Sequence, residues 1–126
     1  EKPDPRSQVL LKNALVRARM VELLGQEKIS GVEQEGLFLV GILSLLEALL
    51  NIPIEKALEN FQLPQQVSLA LLKGEGVYAP YLDLAIACEE FEEEPIELLA
   101  AVCGLDAARV NAAHVDAMVW AEEVEK

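Results

Sequence analysis

Cysteine, histidine and aromatic residues are scarce in this chain of 126 residues. Its two cysteines and one histidine, Cys88, Cys103 and His114, are too few for a structural zinc site built from thiolates and imidazoles, because such a site uses four of these ligands. Aromatic residues make up 5% of the chain although hydrophobic residues make up 52%, so Leu, Ala, Val and Ile supply most of the apolar side chains. This composition indicates packed helices.

Positive charge is also scarce. The chain has 10 basic and 22 acidic residues, which gives a net charge of −12. The negative charge of the whole molecule would repel nucleic acid and anionic membranes. We therefore expect neither partner.

No apolar run is long enough to cross a membrane. The longest uncharged stretch extends from Gly36 to Leu46, and a spanning helix needs about 18 residues. No basic segment followed by an apolar one opens the chain, and the two cysteines form no disulfide framework. These features favour a cytoplasmic protein. The chain begins at Glu1 rather than at a methionine, which is consistent with a piece of something longer.

The positions of glycine and proline divide the chain into helices. No run of alternating β-branched residues predicts a strand, and the connections are too short for an interdomain linker. Residues 1–126 are therefore predicted to form one all-α domain. Seven helices are predicted, at about Pro5–Leu24, Gln34–Leu50, Pro53–Glu59, Pro64–Lys73, Ala79–Phe91, Pro95–Cys103 and from Asp106 nearly to the end, with Asp4, Gly74 and Asp106 as caps.

The second predicted helix is apolar on nearly every side, which is typical of a central helix. Gly41, Ser44 and Ala48 share one strip of it and predict close approach of a neighbouring backbone. The first helix also has more than one apolar stripe. Since only five further helices are available to cover these two, we expect the chain to self-associate, and more strongly at high salt because of its charge.

No pattern in the chain predicts catalysis. His114 lies close to the apolar stripe of the last helix and is interpreted as a core or core-edge residue, while Cys88 and Cys103 are interpreted as small core residues. The acidic stretch from Glu89 to Glu94 crowds the end of a helix and is interpreted as a solvated corner, with a surface for a basic partner or cation as the alternative. We therefore expect no catalytic residue, no metal and no cofactor.

Arg17 is the one candidate interaction residue. On a helical wheel it falls among Leu10, Val21 and Leu24, where an unpaired guanidinium would be costly to bury. We expect it either to form an ion pair within the domain or to face a partner. The candidate carboxylates are Glu35, Glu47 and Asp83.

Three segments resemble the C-terminal half of the HDOD domain of bacterial EAL-HDOD signalling proteins. They are NALVRARMVELLG (Asn13–Gly25), GLFLVGILSLLEALLNIPIEKAL (Gly36–Leu58) and LPQQVSLALLKGEG (Leu63–Gly76). The resemblance covers about Leu10 to Cys88 well and the remainder loosely. It implies a cytoplasmic, all-α regulatory domain related to HD-type phosphohydrolases but without their metal ligands, attached to an EAL domain that binds or hydrolyses cyclic di-GMP.

The chain departs from that family by truncation, since earlier HDOD helices and the EAL domain are not in these residues. The His-Asp dipeptide of an active HD site is missing as well, because Val115 separates His114 from Asp116. The resemblance therefore implies a noncatalytic signalling module, whose partner is another protein, its own missing N-terminal helices or a second copy. The alternatives are a fragment of a metal-dependent HD-type phosphohydrolase and a helical dimerisation or scaffold domain.

Overall fold

The computed structural model describes residues 5–90 and 93–125, apart from the side chain of Glu125. Within these residues every regular element is helical, as the sequence predicts. No helix among them is long and apolar enough to cross a membrane. The helices are α1 (Pro5–Gly25), α2 (Gln34–Leu43), α3 (Leu46–Leu50), α4 (Ile54–Leu58), α5 (Gln65–Lys73), α6 (Ala79–Glu90), α7 (Glu93–Cys103) and α8 (Ala107–Glu125), with a short 3₁₀ helix at Gly31–Glu33.

Most helix ends lie where the sequence predicts them. Gly74 follows α5 in the left-handed conformation, with a φ of 66°, which glycine adopts without steric cost. Asp106 precedes α8, and its Oδ1 accepts a hydrogen bond of 2.8 Å from the backbone N–H of Arg109. Both predicted caps are confirmed, whereas the predicted cap at Asp4 lies outside the described residues.

The prediction of one continuous helix from Gln34 to Leu50 is wrong. α2 ends at Leu43, and α3 begins at Leu46. The Ser44 hydroxyl donates a 2.7 Å hydrogen bond to the carbonyl of Gly41, the group that the N–H of Leu45 would bond in a continuous helix. The N–H of Leu45 bonds to Ile42 O instead, at 3.3 Å. No residue of α3 is buried, so only the α2 half of the predicted helix is central.

The core forms where α1 packs against α2 and α8. Its largest fully buried side chains include Met20, Leu24, Leu37, Val40 and Leu84. At the crossing of α1 and α2, Gly41 lies against the backbone of Ala18, and a Cβ on Gly41 would meet Ala18 N at 2.9 Å. The close approach predicted for the strip that contains Gly41 is confirmed at this residue.

The exposed apolar residues lie only in part where the sequence predicts them, since Val9 on α1 and Leu50 on α3 are exposed. Along α1, the residues Ala14, Ala18, Val21 and Leu24 are buried by other helices of the chain, although Leu11 is exposed. The exposed large apolar side chains of α7 and α8 are instead Leu98, Val102, Val115, Met118, Val119 and Val124. Most of the apolar surface of α1 and α2 is thus covered within the chain, and self-association stays a prediction.

Candidate functional site

Arg17 forms an ion pair inside the helical bundle. Its side chain, on α1, is 11% exposed, and that of its partner Glu89, near the end of α6, is 29% exposed. The guanidinium donates from Nε to one carboxylate oxygen of Glu89 and from Nη2 to the other, both at 2.7 Å. This bidentate geometry is the strongest that an arginine makes with a carboxylate.

Ser44 completes a group that we call the Arg17 cluster, consisting of Arg17, Ser44 and Glu89. Arg17 Nη1 donates to Ser44 Oγ at 3.0 Å, while the same hydroxyl donates onward to the carbonyl of Gly41. The cluster therefore connects α1 and α6 at the point where α2 ends. Because the two acceptor oxygens of Glu89 and the hydroxyl of Ser44 all face the guanidinium, its charge is compensated within the fold.

The sequence predicted an ion pair for Arg17 but named the wrong carboxylates. Glu35 and Asp83 are exposed, and Glu47 accepts a hydrogen bond of 3.0 Å from the backbone N–H of Ile54. The partner is Glu89, which comes 72 positions after Arg17. Only the packing of α6 against α1 brings the two together.

The interpretation of Glu89–Glu94 as a solvated corner is wrong at its first residue. Glu89 points into the bundle and pairs with Arg17. Glu90, Glu93 and Glu94 are exposed, in agreement with the prediction, and residues 91 and 92 lie outside the described residues.

Two clefts border the charged side chains of the Arg17 cluster. One, of about 440 Å³, opens between α1 and α8 and is lined by Lys12, Asn13, Val16, Glu89, His114, Met118 and Glu122. The other, of about 210 Å³, is lined by residues of α1, α3, α4, α5 and α6, with Arg17, Ser44 and Glu47 among them. Polar groups converge on the larger cleft, but its carboxylate at Glu89 is already held by Arg17, and Lys12 is ion-paired with Glu122 across its rim.

His114 is half-buried on α8, at the wall of the larger cleft, so its interpretation as a core-edge residue is confirmed. Asp116, two residues later, is exposed. Among the described residues, no group of three or more His, Cys, Asp or Glu side chains is arranged to hold a metal ion.

Cys88 and Cys103 are free and buried, which confirms their interpretation as core residues. Burial, with a smaller contribution from the negative charge of Asp83, raises the pKa of the Cys103 thiol to about 11. Burial also raises the pKa of Cys88, with the Glu89 carboxylate adding to the effect. Since only the thiolate is nucleophilic, both cysteines are poor nucleophiles at neutral pH.

A second polar contact, which the sequence analysis missed, joins α1, α2 and α8. The Arg19 guanidinium lies 5.6 Å from the ring centre of Trp120, and the ring of Phe38 meets the same tryptophan edge to face at 5.8 Å. Arg19 also pairs with Glu22 one turn along α1. Trp120 is the one tryptophan of the chain and contacts residues of α1 and α2. Its fluorescence therefore reports whether α8 is packed against these two helices.

No family model matches the chain, and no solved structure matches it. The chain is 29% identical over 113 residues to the cyclic di-GMP phosphodiesterase CdgJ of Vibrio cholerae serotype O1, a match that covers 90% of the chain and 26% of CdgJ. It is 28% identical over 111 residues to the uncharacterized protein YuxH of Bacillus subtilis strain 168, covering 88% of the chain and 26% of YuxH. The chain thus corresponds to about a quarter of the length of these curated relatives.

Proposed function

We propose that this chain is a noncatalytic regulatory module of the HDOD type, within a bacterial signalling protein linked to cyclic di-GMP. The observation that carries the proposal is the similarity to CdgJ, which extends over 90% of the chain but only 26% of CdgJ. Such a match is expected of one unit in a larger protein. In this proposal, any phosphodiesterase chemistry belongs to another part of the protein, and this unit transmits a regulatory state through protein contacts.

The Arg17 cluster supports a structural role for the buried charges. Both carboxylate oxygens of Glu89 accept hydrogen bonds from Arg17, and this bidentate contact holds the carboxylate against α1. The raised thiol pKa of Cys103 argues in the same direction, because it keeps that side chain protonated at neutral pH. In this proposal, the charged groups of the cluster hold α1 and α6 together.

We also propose a cytoplasmic location. Cys88 and Cys103 are both free thiols, which persist in a reducing compartment.

The test is a hydrolysis assay on the purified 126-residue chain, with cyclic di-GMP and p-nitrophenyl phosphate as substrates and Mn²⁺, Mg²⁺ or Ni²⁺ added. We expect no turnover above that of metal and buffer alone. The matched variants are His114→Ala and Asn111→Ala, one α8 turn apart, with circular dichroism to establish that both are folded. Metal-dependent turnover that persists in Asn111→Ala and disappears in His114→Ala would instead identify an HD-type phosphohydrolase.

A further inference from the structure

α8 has two apolar faces on opposite sides of the helix. The inner face consists of Val110, Ala113, Ala117 and Ala121, all of which are buried in the core. The outer face consists of Ala108, Ala112, Val115 and Val119, all of which are exposed. Val115 is 53% exposed and Val119 is 57% exposed. An ordinary surface helix has one apolar face and one polar face, so the second apolar face is not explained by the fold.

The spacing on this outer face indicates what kind of structure it fits. From Ala108 the residues follow at intervals of four, three and four positions, which is the repeat of a coiled-coil seam. Two alanines at one end let a partner backbone approach closely, and two valines at the other end provide branched side chains that fill the space between helices. This pattern fits a second α-helix better than a flat surface or a small molecule.

The charges beside the outer face indicate the sign of the partner. Asp116 and Glu123 lie on one side of the stripe, and Glu122, which is ion-paired with Lys12, lies on the other. Residues 93–125, which include all of α7 and α8, contain eight acidic residues and one basic residue, Arg109. Arg109 is already ion-paired with Glu27. The excess of acidic residues around the stripe, with the exposed Asp116 beside it, favours a helix with lysine or arginine next to its apolar seam.

We infer that the outer face of α8 binds an amphipathic helix of another protein that carries lysine or arginine beside its apolar stripe. The inference rests on the proposed function, since it names the class of partner through which the module would act. A second copy of the chain fits less well, because it also carries a charge of −12 and its Arg109 is held by Glu27.

The probe is a labelled synthetic peptide of about three heptads, with leucine at the seam positions and lysine at the flanking ones. A matched peptide has glutamate in place of each lysine. Fluorescence anisotropy measures the binding of each peptide to the 126-residue chain and to two variants. One variant is the double substitution Val115→Gln/Val119→Gln, which removes the apolar seam without changing the charge. The control is Val32→Gln, at a position that is 83% exposed and outside α8.

We expect the lysine peptide to bind the wild-type chain at least about tenfold more tightly than the glutamate peptide. The Val115→Gln/Val119→Gln variant should lose at least about tenfold in affinity for the lysine peptide, and Val32→Gln should bind like the wild type. Circular dichroism and Trp120 fluorescence should be the same for all three proteins, because the substituted side chains are exposed.

Three outcomes would overturn the inference. Equal binding of the lysine peptide to the wild type and to Val115→Gln/Val119→Gln would mean that the net charge alone attracts it. Equal binding of the lysine and glutamate peptides would show that the acidic residues of α8 do not select a basic partner. Dimerisation of the chain without peptide, abolished by Val115→Gln/Val119→Gln in sedimentation, would assign the face to a second copy. None of these depends on the hydrolysis assay, so failure here leaves the noncatalytic function standing, and hydrolysis would reject that function whatever the peptide does.

Discussion

The interface between α1 and α2 and the outer surface of α7 and α8 are both rich in apolar residues, but the fold uses them in opposite ways. At the first, Leu24, Leu37 and Val40 are fully buried, and the helix backbones meet at Ala18 and Gly41. At the second, Leu98 is 65% exposed and Val102 is 70% exposed. Apolar sequence alone therefore does not identify the core of this protein, and the interior and the free surface must be distinguished by packing.

The buried and exposed regions also contain different kinds of ion pair. The Arg17–Glu89 pair lies against the inner helices and is largely removed from water. The Lys56–Glu59 pair at the end of α4 has a separation of 3.7 Å, and both side chains are more than half exposed. Ion pairs of the second kind contribute little, because water and salt screen them and because two long side chains must be ordered. The inner region thus depends on both its close packing and its charges.

The largest effect is expected from Gly41→Ala. The new methyl group would meet the backbone of Ala18, which cannot move without separating α1 from α2. We expect a loss of about 3 kcal/mol in the free energy of unfolding, at the upper end of overpacking effects. Urea unfolding followed by circular dichroism and by Trp120 fluorescence measures it.

Two controls sharpen this prediction. Ala18→Gly combined with Gly41→Ala should not restore stability, because the clash is with backbone atoms. Ala101→Val, which also enlarges a side chain but on the exposed face of α7, should change stability by less than about 1 kcal/mol. A Gly41→Ala variant as stable as the wild type would show that α1 and α2 are less closely packed than described.

Removal of Glu89 should have the next largest effect. Glu89→Ala leaves the Arg17 guanidinium mostly buried without its carboxylate, and we expect a loss of about 2 kcal/mol, less than for a fully buried pair because Glu89 is 29% exposed. The double variant Arg17→Met/Glu89→Leu should be more stable than Glu89→Ala, since it removes the buried charge as well.

The matched control for the ion pair is Glu59→Ala, directly after α4, where the loss in the free energy of unfolding should be below about 0.5 kcal/mol. Equal losses for Glu89→Ala and Glu59→Ala would contradict the structural role of the Arg17 cluster. A double-mutant cycle on Arg17 and Glu89 measures their coupling directly.

A smaller effect is expected from the Cys103 thiol at alkaline pH. Its pKa is raised from the ordinary value of 9.0 to about 11 in the folded chain, so the unfolded chain loses this proton first as the pH rises. The stabilisation is fully present below pH 9 and is lost as the pH rises toward 11. At pH 10 the loss should be about 1 kcal/mol relative to pH 8, because one pKa unit corresponds to about 1.4 kcal/mol.

Denaturant unfolding at pH 8 and pH 10 measures this difference. The Cys103→Ala variant should show a smaller drop than the wild type, although Cys88, whose pKa is also raised, should leave part of the dependence in place. A drop of the same size in both proteins would mean that Cys103 does not contribute.

Much of the helix order could be predicted from the sequence because glycine, proline and aspartate mark helix ends through local chemistry. Gly74 and Asp106 act within one turn of their own position, so their effect can be read without knowledge of the fold. The break at Ser44 could not be predicted, since no proline or glycine marks it. It depends on a serine hydroxyl that bonds the Gly41 carbonyl and accepts from Arg17, and Arg17 is contributed by another helix.

The Arg17 site could likewise be predicted only in part from the sequence. The need of Arg17 for a carboxylate followed from its apolar neighbours along α1. The identity of that carboxylate did not, because Glu89 reaches Arg17 only through the packing of α6 on α1, and in the sequence it stands among other glutamates. Likewise, the exposed stripe on α8 has the same residue types as the buried one, and only tertiary structure determines which of the two faces the core.

The most direct test of the contrast between the two regions is one substitution made in both. Val→Thr keeps the side-chain volume nearly constant and adds a hydroxyl, so its cost reports whether the site is shielded from water. Val40 is fully buried on α2, and Val119 is exposed on α8. We predict that Val40→Thr lowers the free energy of unfolding by about 2 kcal/mol and that Val119→Thr changes it by less than about 0.5 kcal/mol. Equal losses at the two positions would contradict the account, because they would show that the outer face of α8 is covered within the chain and is not available to a partner.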